Sequence, residues 1–149
     1  MTDARHRAGD APQATREIIR RAGHEIRNAL SGAAVNTEVV RSRLARDAPP
    51  KDVATFAERA AAQMGEASSL TDGLLALVGA MVAPNADPSV ARPTHGGESR
   101  IELMIYGDAA AAIVSDIERL ASRIGVGVEQ HGQSVILTIL PEGKSHSKD

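Results

Sequence analysis

Residues 23–32 read GHEIRNALSG and hold the side chains best suited to chemistry in this chain. A neutral imidazole attacks through one ring nitrogen while the other gives its proton to a carboxylate, which raises its nucleophilicity. His24 has Glu25 beside it. Asn28, four residues on, shares its helical face and offers an amide to orient a water or a phosphoryl oxygen. Arg27, at i+3, brings positive charge near a transferred phosphate. Two other readings compete: a metal ligand, or a plain surface residue of a helix. His-Glu-x-x-His would make a zinc helix, but Asn28 stands where the second histidine belongs. His6, His95, His131 and His146 fall in expected tails or loops without ligand spacing. A nucleophile elbow and a Gly-rich loop before a helix are both lacking.

Composition limits what can hold these residues in place. The chain has 149 residues, 42% of them hydrophobic, yet Phe56 and Tyr106 are its only aromatics and 26 residues are alanine. Alanine buries little area at roughly 25 cal/mol per Å², so such a core gains from close helix packing and from a partner chain. Without cysteine there is no disulfide framework, thiol chemistry or thiolate-bound metal. No stretch approaches the ~18 apolar residues of a membrane span, and MTDARHRAGDAPQ lacks the apolar core of a signal peptide. A soluble cytoplasmic protein is expected, with no membrane partner. The net charge of −2 gives no global attraction to nucleic acid. Nine arginines against six acids in residues 1–50 read as a solvated basic helix face.

Two seams define the elements. Ile19, Gly23, Ile26, Leu30, Ala33, Thr37, Val40 and Leu44 repeat at 4-3-4-3-4-3-4, a heptad pattern. Thr15 is placed to cap the start of this helix, and Asp47-Ala-Pro-Pro50 ends it. Val53, Phe56, Ala60, Gln63, Ala67, Leu70, Leu74, Leu77 and Met81 repeat at 3-4-3-4-3-4-3-4, with Gln63 the one polar interruption. A short turn between two such seams predicts an antiparallel helical hairpin. One hairpin has too little interior alone, so a homodimeric four-helix bundle is expected. In the alternative, the C-terminal segment of the same chain covers the seam. His24 follows seam position Gly23, so it flanks the core and is reachable from solvent, with Glu25 splayed roughly 100° around the helix.

Residues 1–12 are expected to form a disordered tail, 13–82 the hairpin, 83–98 a Pro/Gly-rich linker, 99–141 a small domain and 142–149 a polar tail. In the small domain Ile101, Leu103 and Ile105 alternate as a half-buried strand. Gly107-Asp108 is expected to cap a helix with apolar face Ile113, Ile117, Leu120 and Ile124, stopped by Gly125. Val126 and Val128 lead through His131-Gly-Gln133 to Val135, Leu137 and Ile139, a hairpin. This β-α-β-β unit is too small for its own core and should dock on the bundle or on its own copy. The fold class is therefore α+β.

GHEIRNALSG resembles the phosphoacceptor box of sensor histidine kinases, His-Glu-[Leu/Ile]-[Arg/Lys]-[Thr/Asn]-Pro-Leu, in their dimerisation and histidine-phosphotransfer domain. That domain is itself a two-helix hairpin dimerising into a four-helix bundle, and residues 13–82 fit the plan. The resemblance implies that His24 is the phosphoacceptor, Glu25 its acid/base partner, and Asn28 the residue supporting dephosphorylation of a response regulator. Ala29 departs from the family's proline, which bends the helix. The small domain resembles a truncated kinase ATP-binding domain at the level of fold only. The family's nucleotide and Mg²⁺ asparagines are missing from DAAAAIVSDIERLASRI, and Pro141-Glu-Gly replaces its glycine-rich motifs.

The resemblance thus implies a dedicated histidine phosphotransferase with a degenerate ATP-binding domain. It would move a phosphoryl group between aspartates of response-regulator receiver domains through phosphohistidine. No ATP and no cofactor are expected on this chain, since the receiver supplies Mg²⁺. The competing functions are a non-catalytic regulator that binds a response regulator or histidine kinase, and a response-regulator phosphatase in which Asn28 leads.

Overall fold

The computed structural model describes residues 3–47, 49–82 and 99–140, with side chains from Gln13 onward. The chain is α+β, running α1 (Asp3–Leu44), α2 (Pro50–Val82), β1 (Ser99–Met104), α3 (Ala110–Ile124), β2 (Val126–His131) and β3 (Ser134–Ile139). The expected linker at 83–98 and the tail from 141 onward lie outside the described residues. No described helix is long and apolar enough to cross a membrane.

The start of α1 differs from expectation. The helix begins at Asp3, so Thr15 lies inside it and does not cap it, and residues 3–12 are helical instead of forming a disordered tail. Five of those ten residues are alanine or arginine, which form helix well, while Gly9 and Pro12 oppose it, so propensity alone does not account for the extension. The far end follows the expected punctuation. Helical-type bonds continue from Ala45 to Asp47, where the backbone turns left-handed at φ 53°. Asp tolerates that conformation better than most residues. Pro50 then opens α2 at the first helical position, where its missing N–H costs nothing.

The small domain is a three-stranded antiparallel sheet of order β1-β3-β2. Its register aligns Ile101 with Leu137, Leu103 with Val135, and Val126 with Ile139, so these side chains share one face. Gly132, at φ 62°, occupies the first position of a two-residue turn between β2 and β3, which suits a glycine because φ is positive there. The helix α3 ends as expected, with Gly125 left-handed and its N–H bonded to Ala121 O. Its start is a correction. Ala109, not Asp108, is the N-cap, and no side chain caps it. Instead Ala110 N–H bonds to Gly107 O, so the preceding turn satisfies that donor.

The domain docks on its own hairpin. Ile18 and Ala22 of α1, Leu70 and Leu77 of α2, Ile117 and Leu120 of α3, and Ile101, Leu103 and Leu137 of the sheet form one buried cluster. α3 comes close to α2 at Gly73, where a Cβ would lie 2.7 Å from Asp116 O and 2.8 Å from Leu120 Cβ. Ion pairs Glu66–Arg123 and Asp116–Arg119, and a bond from Arg119 to Ser69 Oγ, edge this contact.

That docking divides the two seams. The α2 seam faces inward, with Ala60, Ala67, Leu70 and Leu77 buried. On α1 the buried positions are Ala14, Ile18, Ala22, Ala29 and Ala33, whereas seam positions Ile19, Leu30 and Leu44 are exposed. Helical geometry of about 100° per residue places Ile19, Ile26, Leu30, Thr37 and Leu44 in one sector of about 40°. Met64, Leu75, Val78 and Val82, also exposed, fall in one sector of about 60° on α2. Both sectors lie on the side of the hairpin away from the small domain. The heptad spacing on α1 therefore marks a face this chain leaves open, while its own domain covers the neighbouring one.

Candidate functional site

His24 lies in the middle third of α1, on the side turned away from α2, and is exposed along with Arg27 and Asn28. Glu25, about 100° further round, is half-buried. The helix holds His24, Arg27 and Asn28 together within one turn, as their spacing demands. Among the described residues, none of these four side chains makes a hydrogen bond or ion pair with another. The imidazole is therefore unencumbered, with both ring nitrogens open to an incoming group.

One turn toward the N-terminus lies a cluster the motif did not reveal. Glu17 accepts from Arg20 Nε and Nη2 at 2.9 and 2.8 Å, and from Arg21 Nε at 2.6 Å. These bonds hold the Glu17 carboxyl at about 2, well below its ordinary 4.5, with Arg20 the larger cause and Arg21 the next. Arg21 also reaches the small domain. Its guanidinium donates to Leu140 O at 3.3 Å and, at a long 3.5 Å, to Ile124 O. It thus ties the ends of β3 and α3 to α1 three residues before His24. The i+3 and i+4 spacing of Glu17 to Arg20 and Arg21 is readable in sequence. The carbonyl acceptors, 103 and 119 positions away, are not.

The pH dependence follows directly. A carboxylate depressed in the folded state stabilises above its unfolded pKa and loses that contribution as pH falls through the folded value. For Glu17 the window runs from about 4.5 down to about 2. Glu17→Gln is expected to lower the melting temperature modestly at pH 7 and to flatten its fall across that window, a pair of scans at pH 7 and pH 3 being the check.

Among the described residues no three His, Asp or Glu side chains gather as a metal site. His131 ends β2, exposed and 3.7 Å from Glu129. No family model matches this chain, and no curated protein matches it in sequence.

Proposed function

We propose that the chain is a histidine phosphotransferase that carries phosphoryl groups between receiver-domain aspartates. The observation that carries this reading is an exposed, unpartnered His24 held with Arg27 and Asn28 on one turn of a long hairpin helix. In the transfer, a ring nitrogen of His24 attacks the phosphorus of an aspartyl phosphate. The N–P bond forms as the P–O bond to the aspartate breaks, and the other ring nitrogen passes its proton to Glu25 through an intervening water, since the two side chains are not in contact. The reverse steps return the phosphoryl group to a second receiver. Arg27 offsets charge on the transferring group, and Asn28 orients a water when the outcome is hydrolysis. The receiver brings the Mg²⁺.

In this reading the small domain takes no part in ATP chemistry. The cleft of about 270 Å³ at the start of α3 is lined by Ile105, Ala110, Ala111, Val114, Gln130 and Gln133 among others. None of these is a cation suited to a triphosphate or an acid suited to its metal. A chain of this kind works as a homodimer, and the open apolar face of the hairpin supports a four-helix bundle with a second copy. Leu30→Glu is expected to convert the dimer to a monomer in light scattering. A variant that keeps the mass of the wild type would remove this face from the interface.

Transfer itself is tested with a phosphorylated receiver and no ATP, following label on wild type and on Asn28→Ala. Acid-labile, base-stable label appearing on this chain is the expected result. Receiver label disappearing with none on this chain points to phosphatase action. No change in either sinks both enzymatic readings and leaves a non-catalytic regulator.

A further inference from the structure

Gln63 interrupts the apolar seam of α2, and the structure shows what it meets. An alanine Cβ at Gly32 would fall 2.8 Å from Gln63 Cδ and 3.1 Å from Oε1, and closer still to Nε2. The amide therefore sits against the bare backbone of Gly32, in space a Cβ there would take. Asn36 Nδ2 donates to Gln63 Oε1 at 2.8 Å and to Gly32 O at 3.0 Å. Three residues on two helices thus form one polar clasp midway along the hairpin.

Around the clasp the packing is poor in information. Ala29 and Ala33 are buried on α1, and Ala60 and Ala67 on α2. A shift of one turn on α1 replaces one alanine by the other, and a shift of one heptad on α2 does the same. Small, identical knobs discriminate weakly between alignments. The small domain bridges residues 14–22 of α1 and 70–77 of α2, so it aligns the helices at that end. Toward the turn the alignment rests on the helix–helix contacts themselves. The clasp does discriminate. One turn either way from Gly32 stands an asparagine, Asn28 or Asn36, which fills the space the Gln63 amide needs.

We infer that the Gly32–Asn36–Gln63 clasp is an alignment lock, giving the hairpin a single register at some cost in stability. Asn36 and Gln63 are half-buried; a polar pair set into an apolar seam specifies register in this way, while apolar residues of the same shape often raise stability. The register matters to the site. Counted from Asn36 opposite Gln63, twelve residues back along α1 lies His24 and twelve on along α2 lies Leu75. The lock therefore acts with the small domain, which bridges α1 and α2 beside His24, in setting which α2 side chains stand level with it, whatever chemistry His24 performs.

The test is Asn36→Leu/Gln63→Met, which keeps both shapes and removes both amides. The natural chain has no cysteine, so spin labels attach cleanly at Val35→Cys and Ala54→Cys, two exposed sites staggered along the hairpin. Labelled protein is mixed with excess unlabelled chain, and distances are measured by pulsed electron resonance. With the clasp intact, one narrow distance is expected. Without it, melting is expected at an equal or higher temperature. The distance should broaden or split by several Å, the projection of one ~5.4 Å helical turn. A single narrow peak at the original distance overturns the inference. So does a fall in melting temperature with the peak unchanged, since the amides would then serve stability alone. Should the double variant fail to fold, Gln63→Ala, which removes the amide without adding apolar bulk, is measured in its place. A broadened or split distance again supports the lock, and an unchanged narrow peak again overturns it.

Discussion

Replacing His24 with glutamine is expected to abolish acid-labile label on the chain while leaving its fold untouched. The side chain is exposed and touches no described hydrogen-bond partner, so the change in stability should stay within about 0.5 kcal/mol. Glutamine keeps the bulk and polarity of the position but has no lone pair able to form an N–P bond. Loss of label should therefore be complete, with an unaltered thermal melt. Label that survives on His24→Gln would move the acceptor elsewhere and end the case for this box. Asn28→Ala separates two roles. It should keep the label on His24 and slow hydrolysis of receiver phosphate about two- to tenfold, as loss of a neutral hydrogen bond of ~0.5–1.5 kcal/mol implies. Equal hydrolysis by wild type and Asn28→Ala would remove the amide from the mechanism.

The second large effect is at Gly73. A Cβ there meets the backbone carbonyl of Asp116 and the Cβ of Leu120, neither of which can swing aside. α3 would have to withdraw from α2, loosening a cluster that includes Leu70, Leu77, Ile117 and Leu120. Overpacking of this kind costs about 1–3 kcal/mol. Alanine regains roughly 1 kcal/mol of helix propensity over glycine, so Gly73→Ala is expected to be mildly to moderately destabilised and Gly73→Leu severely so. Gly65, on the same helix, has nothing within 4 Å of an added Cβ. There only the propensity gain applies, and Gly65→Ala should be stabilised by about 0.5–1 kcal/mol. Urea unfolding of the three variants checks the sign of each. Stabilisation of Gly73→Ala to the level of Gly65→Ala would mean that the small domain does not press on α2 as described.

Much of this architecture is legible in the residues. The hairpin follows from the two seams and from Pro49-Pro50. The sheet follows from alternation in 101–105 and 135–139 and from Gly132, and the end of α3 follows from Gly125. What escapes are features set by partners distant in sequence. Ile18 and Ala22 join the core because Leu120 and Leu137 arrive from the far end of the chain. Without them the 4-3 spacing of Ile19, Leu30 and Leu44 looks like the only buried face of α1. The start of α1 is hard to place because a threonine resembles a cap even inside a helix, and Gly9 and Pro12 just upstream read as a break. At the site, the placement of His24, Arg27 and Asn28 needs only 3.6 residues per turn. The Arg21 bonds to Ile124 and Leu140 need the tertiary fold. Gln63 is visible as an interruption, but its seat on Gly32 is not, because a glycine in a helix seam carries no sign of what it admits.

The bond from Arg21 to Leu140 has a practical meaning for tethering. It fixes the end of the sheet to α1 only three residues from the imidazole, about 4.5 Å along the helix axis. A receiver joined to the chain beyond that point through a short flexible linker would begin its search already beside His24. Its effective concentration would lie in the millimolar range, so even a receiver with feeble intrinsic affinity would be captured as an intramolecular partner.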